Sequence, residues 1–241
     1  MIFRISVKAG MAVLLMSLAA MIVGHLDAPG LDWMRNQVST YAVRAPRHDW
    51  ITASLYLSAA AFLLISISAF RHPQFSKSLS GQLGGLLFGA ASAGVVVLAH
   101  YEETAATLAQ LKQATFGAVR QQSFHDAGLM IFFYAAVFAM VLFGAMVFAQ
   151  RRGWGRKIAG GLIALAGPIS FLGMTTSWPK LLGIVDSPVG LKQRAGLLVL
   201  WLGAFLLMIL LMRKESLWTD RELGGAFDEQ DATRVDPRRS R

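Results

Sequence analysis

Residues 127–149 read AGLMIFFYAAVFAMVLFGAMVFA, and the next eight, 150–157, read QRRGWGRK. A helix must stay apolar for about 20 residues to cross roughly 30 Å of hydrocarbon, and the run from Ala127 to Ala149 does so without one charge. Phe132, Phe133, Phe138, Met140, Phe143 and Phe148 spread bulk around most of its circumference, which suits lipid contact better than a one-sided core. The cluster Arg151, Arg152, Arg156 and Lys157 that ends it marks a cytoplasmic flank.

Working outward, five more stretches meet the same standard: Ala9–Leu26, Trp50–Phe70, Gln82–His100, Ile158–Ser177 and Ala195–Met212. The sequence therefore predicts an all-α, polytopic bundle of six transmembrane helices over residues 1–214. Arg4 and Lys8 precede the first stretch as in a signal peptide, but no small-x-small cleavage site follows it, so it reads as an uncleaved span. From residue 215 the composition turns to Asp, Glu, Arg and Gly, which predicts a disordered cytoplasmic tail over 215–241.

The whole composition agrees. The 241 residues are 55% hydrophobic and 15% charged, against about 25% charged in soluble domains. No cysteine is present, which removes disulfides, thiolate metal sites and cysteine nucleophiles. The net charge of +9 sits at the ends of apolar runs and not on a soluble face, so it predicts orientation and not a nucleic-acid partner. Alternate flanks hold 15 and 8 of the 23 Lys and Arg, which predicts a cell-membrane protein with both termini cytoplasmic.

Inside the membrane the polar signals concern packing. Gly85 and Gly89 form a small-xxx-small pair that permits close helix approach. Pro168 removes one backbone donor in the fifth span, a fault that neighbouring helices or Ser170 can absorb. The predicted hydrocarbon interiors hold no Asp, Glu, Lys, Arg or His, which disfavours a pump or ion-coupled carrier.

Chemistry is therefore expected at the outer face, where His25, His48, His100 and His125 gather. In the first outer loop, helical spacing over Leu31–Tyr41 puts Leu31, Met34, Val38 and Tyr41 on one side and Asp32, Arg35, Asn36 and Ser39 on the other, a short interfacial helix. The second outer loop, Tyr101 to Asp126, is bracketed by His100 and His125. With Glu102 or Asp126 these supply ligand types suited to zinc, although no metal-binding spacing is present. Ser39, His125 and Asp126 are the residue types of a triad, without a nucleophile-elbow sequence. In the third outer loop Lys192 and Arg194 suit head-group anchoring; pointed inward, Arg194 would pair with Glu102 or Asp126.

Three segments together carry a resemblance: Asp32-Trp33-Met34-Arg35-Asn36-Gln37-Val38-Ser39, His125-Asp126-Ala127-Gly128 and Gly190-Leu191-Lys192-Gln193-Arg194. Their order and the span count resemble the bacterial membrane-protein family catalogued as domain of unknown function 998, from Ala9 to Met212. The resemblance implies a six-helix bundle and points to Arg35, Asn36, Ser39, His125, Gln193 and Arg194. One corner departs from the family pattern: the third span ends Leu98-Ala99-His100-Tyr101-Glu102-Glu103, without the family's proline. A more distant similarity to the Frag1, DRAM and Sfk1 group leans toward lipid handling.

The expectation is a non-enzymatic protein without cofactor. Its partner is membrane lipid or a small amphiphile, whose head group binds in an outward vestibule where Arg35, Asn36, Ser39, His125, Asp126, Gln193 and Arg194 converge. The alternative is a metal- or His-assisted membrane hydrolase built on His100, Glu102, His125 and Asp126, with His100, Glu102 and His125 as the metal ligands.

Overall fold

A computed structural model describes residues 2–26, 28, 30–101, 115–149, 154–175 and 189–212. They form seven α-helices: α1 Ile2–His25, α2 Val38–Arg44, α3 His48–Arg71, α4 Leu79–His100, α5 Phe116–Ala149, α6 Trp154–Thr175 and α7 Val189–Met212. All but α2 are long and apolar enough to cross a membrane. The predicted tail, 215–241, lies outside the described residues.

The exposed surface confirms which solvent this bundle was built for. On α6, Ile158, Leu162, Leu165, Ile169 and Leu172 recur at spacings of four and three, and each is more than half exposed. In water such a stripe would face a core. Here the small residues Ala159, Gly160, Ala166 and Gly167 face inward, the arrangement a lipid-embedded helix adopts.

The long helices follow one another around a ring, with α1 against α3, α3 against α4, α4 against α5 and α5 against α6. Glycine permits the closest approaches. A methyl group on Gly94 of α4 would collide with the Phe132 backbone of α5, and one on Gly144 of α5 with the Ala164 backbone of α6. Gly85 and Gly89 pack more loosely against Ala69, Phe70 and Ser66 of α3. α7 closes the ring: the Ser170 hydroxyl donates to the Gly196 carbonyl (2.7 Å), and Gly10 of α1 faces Met208. Ser170 thus joins α6 to α7 and does not repair the backbone around Pro168.

Serine hydroxyls tie the α1–α3 seam. Ser17 lies 2.7 Å from Ser58 Oγ and donates to the Ser54 carbonyl (2.8 Å), while Ser54 donates back to the Ser17 carbonyl (2.8 Å). Ser6 and Ser68 meet at 2.9 Å nearer the start of α1. An aromatic column then fills the middle of the bundle, from Phe75 through Phe143, Phe88, Phe62 and Phe132 to Phe133, with successive ring centroids 5.1 to 6.3 Å apart, within the range favoured by edge and offset stacking.

Two elements differ from the sequence expectation. Helix α5 begins at Phe116 and not Ala127, so Gln121, Gln122, Ser123, His125 and Asp126 stand on a helix and not in a loop. At 1.5 Å per residue its 34 residues measure about 51 Å, longer than the hydrocarbon, and the polar first turns need no apolar signal. The interfacial helix is also shorter than Leu31–Tyr41. Asp32 Oδ1 accepts from the Met34 N–H (2.8 Å) and Asn36 Oδ1 from the Asp32 N–H (2.7 Å), and these side-chain bonds fold 32–36 into a turn instead. Helix begins at Val38 and stops at Ala45, which is extended, as a residue before proline must be.

Candidate functional site

Four of the five histidines do gather at one end of the bundle, with α2; His72 follows α3 at the other end. What organises the α2 end is Arg194, in the first turns of α7. Its guanidinium donates to His25 Nε2 from Nε (3.1 Å) and from a terminal nitrogen (2.6 Å), and to the Asn36 carbonyl (2.9 Å). It also lies 4.9 Å over the ring of Tyr41, a cation–π contact. His25 Nδ1 faces the Met21 carbonyl at 2.6 Å, so the proton sits on Nδ1 and the Nε2 lone pair accepts from Arg194. Tyr41 is fully buried, stacks on His25 with centroids 4.4 Å apart, and donates to the Leu31 carbonyl (3.2 Å). Desolvation pushes the Tyr41 phenol above its ordinary pKa, opposed by the Arg194 charge and assisted by Asp32.

This cluster fastens the first loop onto α7. The Leu191 N–H donates to the Met34 carbonyl (2.9 Å), and Gly190 is forced by the approach, since a methyl group there would strike the Asn36 and Trp33 carbonyls. Gln193 completes it. The N-terminus of α2 has no side-chain cap of its own, and Gln193 Oε1 accepts from the Val38 N–H (2.9 Å), satisfying one of the donors that every helix start leaves unpaired. Arg194 is therefore neither a plain head-group anchor nor the partner of Asp126; its observed partners are neutral.

Beneath α2 lies a cavity of about 330 Å³ to which all seven helices contribute. Its walls are mostly apolar, including Met21, Leu55, Leu129, Phe171 and Trp201. Besides Ser39, His125 and Gln193, which the sequence singled out, the polar residues Thr52, Ser58, Tyr134 and Thr175 line it. His125 is buried and its Nδ1–H donates to the Tyr101 carbonyl (2.6 Å), leaving Nε2 as an acceptor. Val43, Met130 and Tyr134 line the cavity and are also exposed, so it reaches the bundle surface between α2 and α5.

The predicted residues thus divide. Ser39, His125 and Gln193 share the cavity; Asn36 and Arg194 belong to the clamp behind it. Arg35 stands apart, with its side chain 64% exposed and 3.6 Å from Asp32. Asp126 is exposed and accepts from Gln122 one turn earlier (2.9 Å). It does not orient His125, because successive residues on a helix do not face each other, so the triad of Ser39, His125 and Asp126 is not assembled. His100 is exposed, packed edge-on against Tyr101, and Glu102 lies outside the described residues. Among the described residues no three His, Asp or Glu side chains stand close enough to hold a metal. Sequence reasoning missed the roles of His25 and Tyr41. The signal was there for His25, a histidine in the last turn of an apolar span where an arginine elsewhere needs an acceptor.

Fold and site together define a six-span helical membrane protein with a capped cavity at one end. Residues 11–210 match the family described as protein of unknown function (DUF998), and the chain belongs to it. No curated protein and no solved structure matches it significantly.

Proposed function

We propose that this protein binds a membrane amphiphile in the cavity under α2 and works as a binding protein without catalysing a reaction. One observation carries the reading: a cavity of about 330 Å³ with apolar walls and a few polar side chains, reaching the surface of a lipid-embedded bundle at Val43, Met130 and Tyr134. Pockets of about 300 Å³ and more, apolar with a few placed polar groups, are the usual form of small-molecule sites. The exposed lining on α5 lies on a membrane-spanning helix, so the ligand is one that already resides in the bilayer. In this reading Ser39, His125 and Gln193 contact the ligand, and Arg194 holds the cap in place.

The same proposal places the protein in the cell membrane with both termini cytoplasmic, supported by the 15 to 8 partition of Lys and Arg. The α2 end then faces outward. The test is extraction and mass spectrometry of lipids retained by the protein purified in nanodiscs, with Ala42→Trp as the cavity-filled control. Wild type is expected to retain an amphiphile that the variant loses. Equal lipid content in the two proteins would defeat the proposal.

A further inference from the structure

We infer that the cavity selects single-chain amphiphiles with a neutral, hydroxyl-bearing head and rejects those with a charged one. This rests on the amphiphile reading above. The first observation is charge. Among the described lining residues there is no Asp, Glu, Lys or Arg. Arg194, next in sequence to Gln193, is turned to His25, Asn36 and Tyr41 and does not line the cavity. A carboxylate or phosphate held there would be an unpaired ion among apolar walls, and so would an ammonium.

The second observation is the direction of the polar groups on His125, Gln193 and Ser39, which line the cavity together with Thr52, Ser58, Tyr134 and Thr175. His125 spends its Nδ1–H on Tyr101, so Nε2 offers a lone pair and needs a donor. Gln193 spends Oε1 on the Val38 N–H, so its NH₂ offers donors and needs an acceptor. Ser39 can serve either way. A head with hydroxyl groups supplies both complements, a proton for His125 and an oxygen for Gln193. A deprotonated acid has no proton for His125 and would oppose two lone pairs.

The third observation is size. A cavity of about 330 Å³, open at the bundle surface, has the volume of about ten waters in the liquid, room for a head and part of one chain and not for the bulk of a two-chain phospholipid.

The experiment uses the full chain in nanodiscs and 12-bromododecanol as a quencher of Trp201, which lines the cavity; the Trp201→Phe variant supplies the background from the other tryptophans. Displacement of the quencher is then compared for monolauroylglycerol, laurate at pH 8.5 and dodecyltrimethylammonium, each expressed as mole fraction in the bilayer. The glycerol ester is expected to displace it at least about tenfold more effectively than either ion. His125→Asn places an amide nitrogen where Nδ1 stands and should reduce the preference about fivefold, the value of one neutral hydrogen bond. Gln193→Glu retains an oxygen for Val38 but brings a charge to the lining, so it should shift displacement away from laurate and toward dodecyltrimethylammonium. Equal displacement by all three compounds, or a preference for an ion, overturns the selectivity and leaves the amphiphile reading standing. A preference untouched in both variants overturns the assignment to His125 and Gln193. Absence of any quenching specific to Trp201 overturns the amphiphile reading itself, and this inference with it.

Discussion

The α1–α3 seam and the α2 side of the cavity, which meet at Ser58, both contain serine and other polar groups, and they use them in opposite ways. Along the seam Ser17, Ser54 and Ser58 bond to one another or to each other's backbone across the helix interface. At the cavity Ser39 has only a long contact to Gln37 (3.4 Å), and His125 and Gln193 each keep half of their hydrogen-bonding capacity after anchoring one backbone group. Hydroxyls that complete one another hold helices together. Polar groups left with capacity beside a cavity are available to a ligand. The contrast separates polar groups that complete one another from polar groups left with capacity, and it can be broken by substitutions whose costs should rank accordingly.

The largest cost is expected where backbones touch. Gly144→Val would drive a branched side chain into the Ala164 backbone, and neither helix can yield without losing its neighbours. Overpacking of this kind costs about 3 kcal/mol, read as loss of reversible-unfolding stability in mixed micelles. Gly155, with nothing near an added methyl group, is the control, and Gly155→Ala should leave stability unchanged or slightly raised.

Next comes the clamp. Arg194→Ala leaves His25 Nε2 and the Asn36 carbonyl without their donor, and hydrogen bonds to a charged group contribute about 1.5–3 kcal/mol. We expect a loss of about 2 kcal/mol together with faster amide exchange over residues 31–44. Arg194→Lys should recover little of it, because an ammonium cannot reproduce the planar fork over Tyr41. Arg35→Ala removes an equally charged side chain from the same loop, but an exposed one, 3.6 Å from Asp32. Its cost should stay within about 0.5 kcal/mol. If the two alanine variants behave alike, Arg194 does not organise the cap.

The sequence made the spans legible because hydrocarbon imposes one coarse demand, a long uncharged run with basic flanks, and all six runs meet it. It did not reveal the first turns of α5. Outside the slab a helix needs no apolar run, and residues 116–126 are polar enough to resemble a loop. The turn at 32–36 was hidden for another reason: the spacing of Leu31, Met34, Val38 and Tyr41 is helical, and the competing side-chain bonds of Asp32 and Asn36 win locally. Arg194 was conspicuous as a charge at the edge of a span, but its acceptor lies 169 positions away, and no local pattern connects the two. The cavity was least legible of all. Its walls are ordinary apolar side chains such as Leu129 and Trp201, and a void between seven helices is a property of their packing, not of any segment. Of the polar groups proposed from sequence, those that reached it are Ser39, His125 and Gln193, drawn from three separate stretches.

The smallest expected effects test the comparison most directly, because they set one serine against another. Ser17→Ala strips both Ser54 and Ser58 of a partner in the interior, and interhelical bonds in membranes contribute about 0.6 kcal/mol on average and at most about 1.7. We expect about 1 kcal/mol in the same unfolding assay. Ser39→Ala removes a hydroxyl whose 3.4 Å contact is too long to contribute much, so its stability should fall by less than about 0.5 kcal/mol. If a ligand uses that hydroxyl, the loss must appear in binding instead, as weaker retention of the amphiphile by a protein of unchanged stability. A Ser39→Ala variant that loses stability as Ser17→Ala does would make Ser39 one more helix-packing serine. Of the three lining residues that the sequence singled out, His125 and Gln193 would then remain for a ligand.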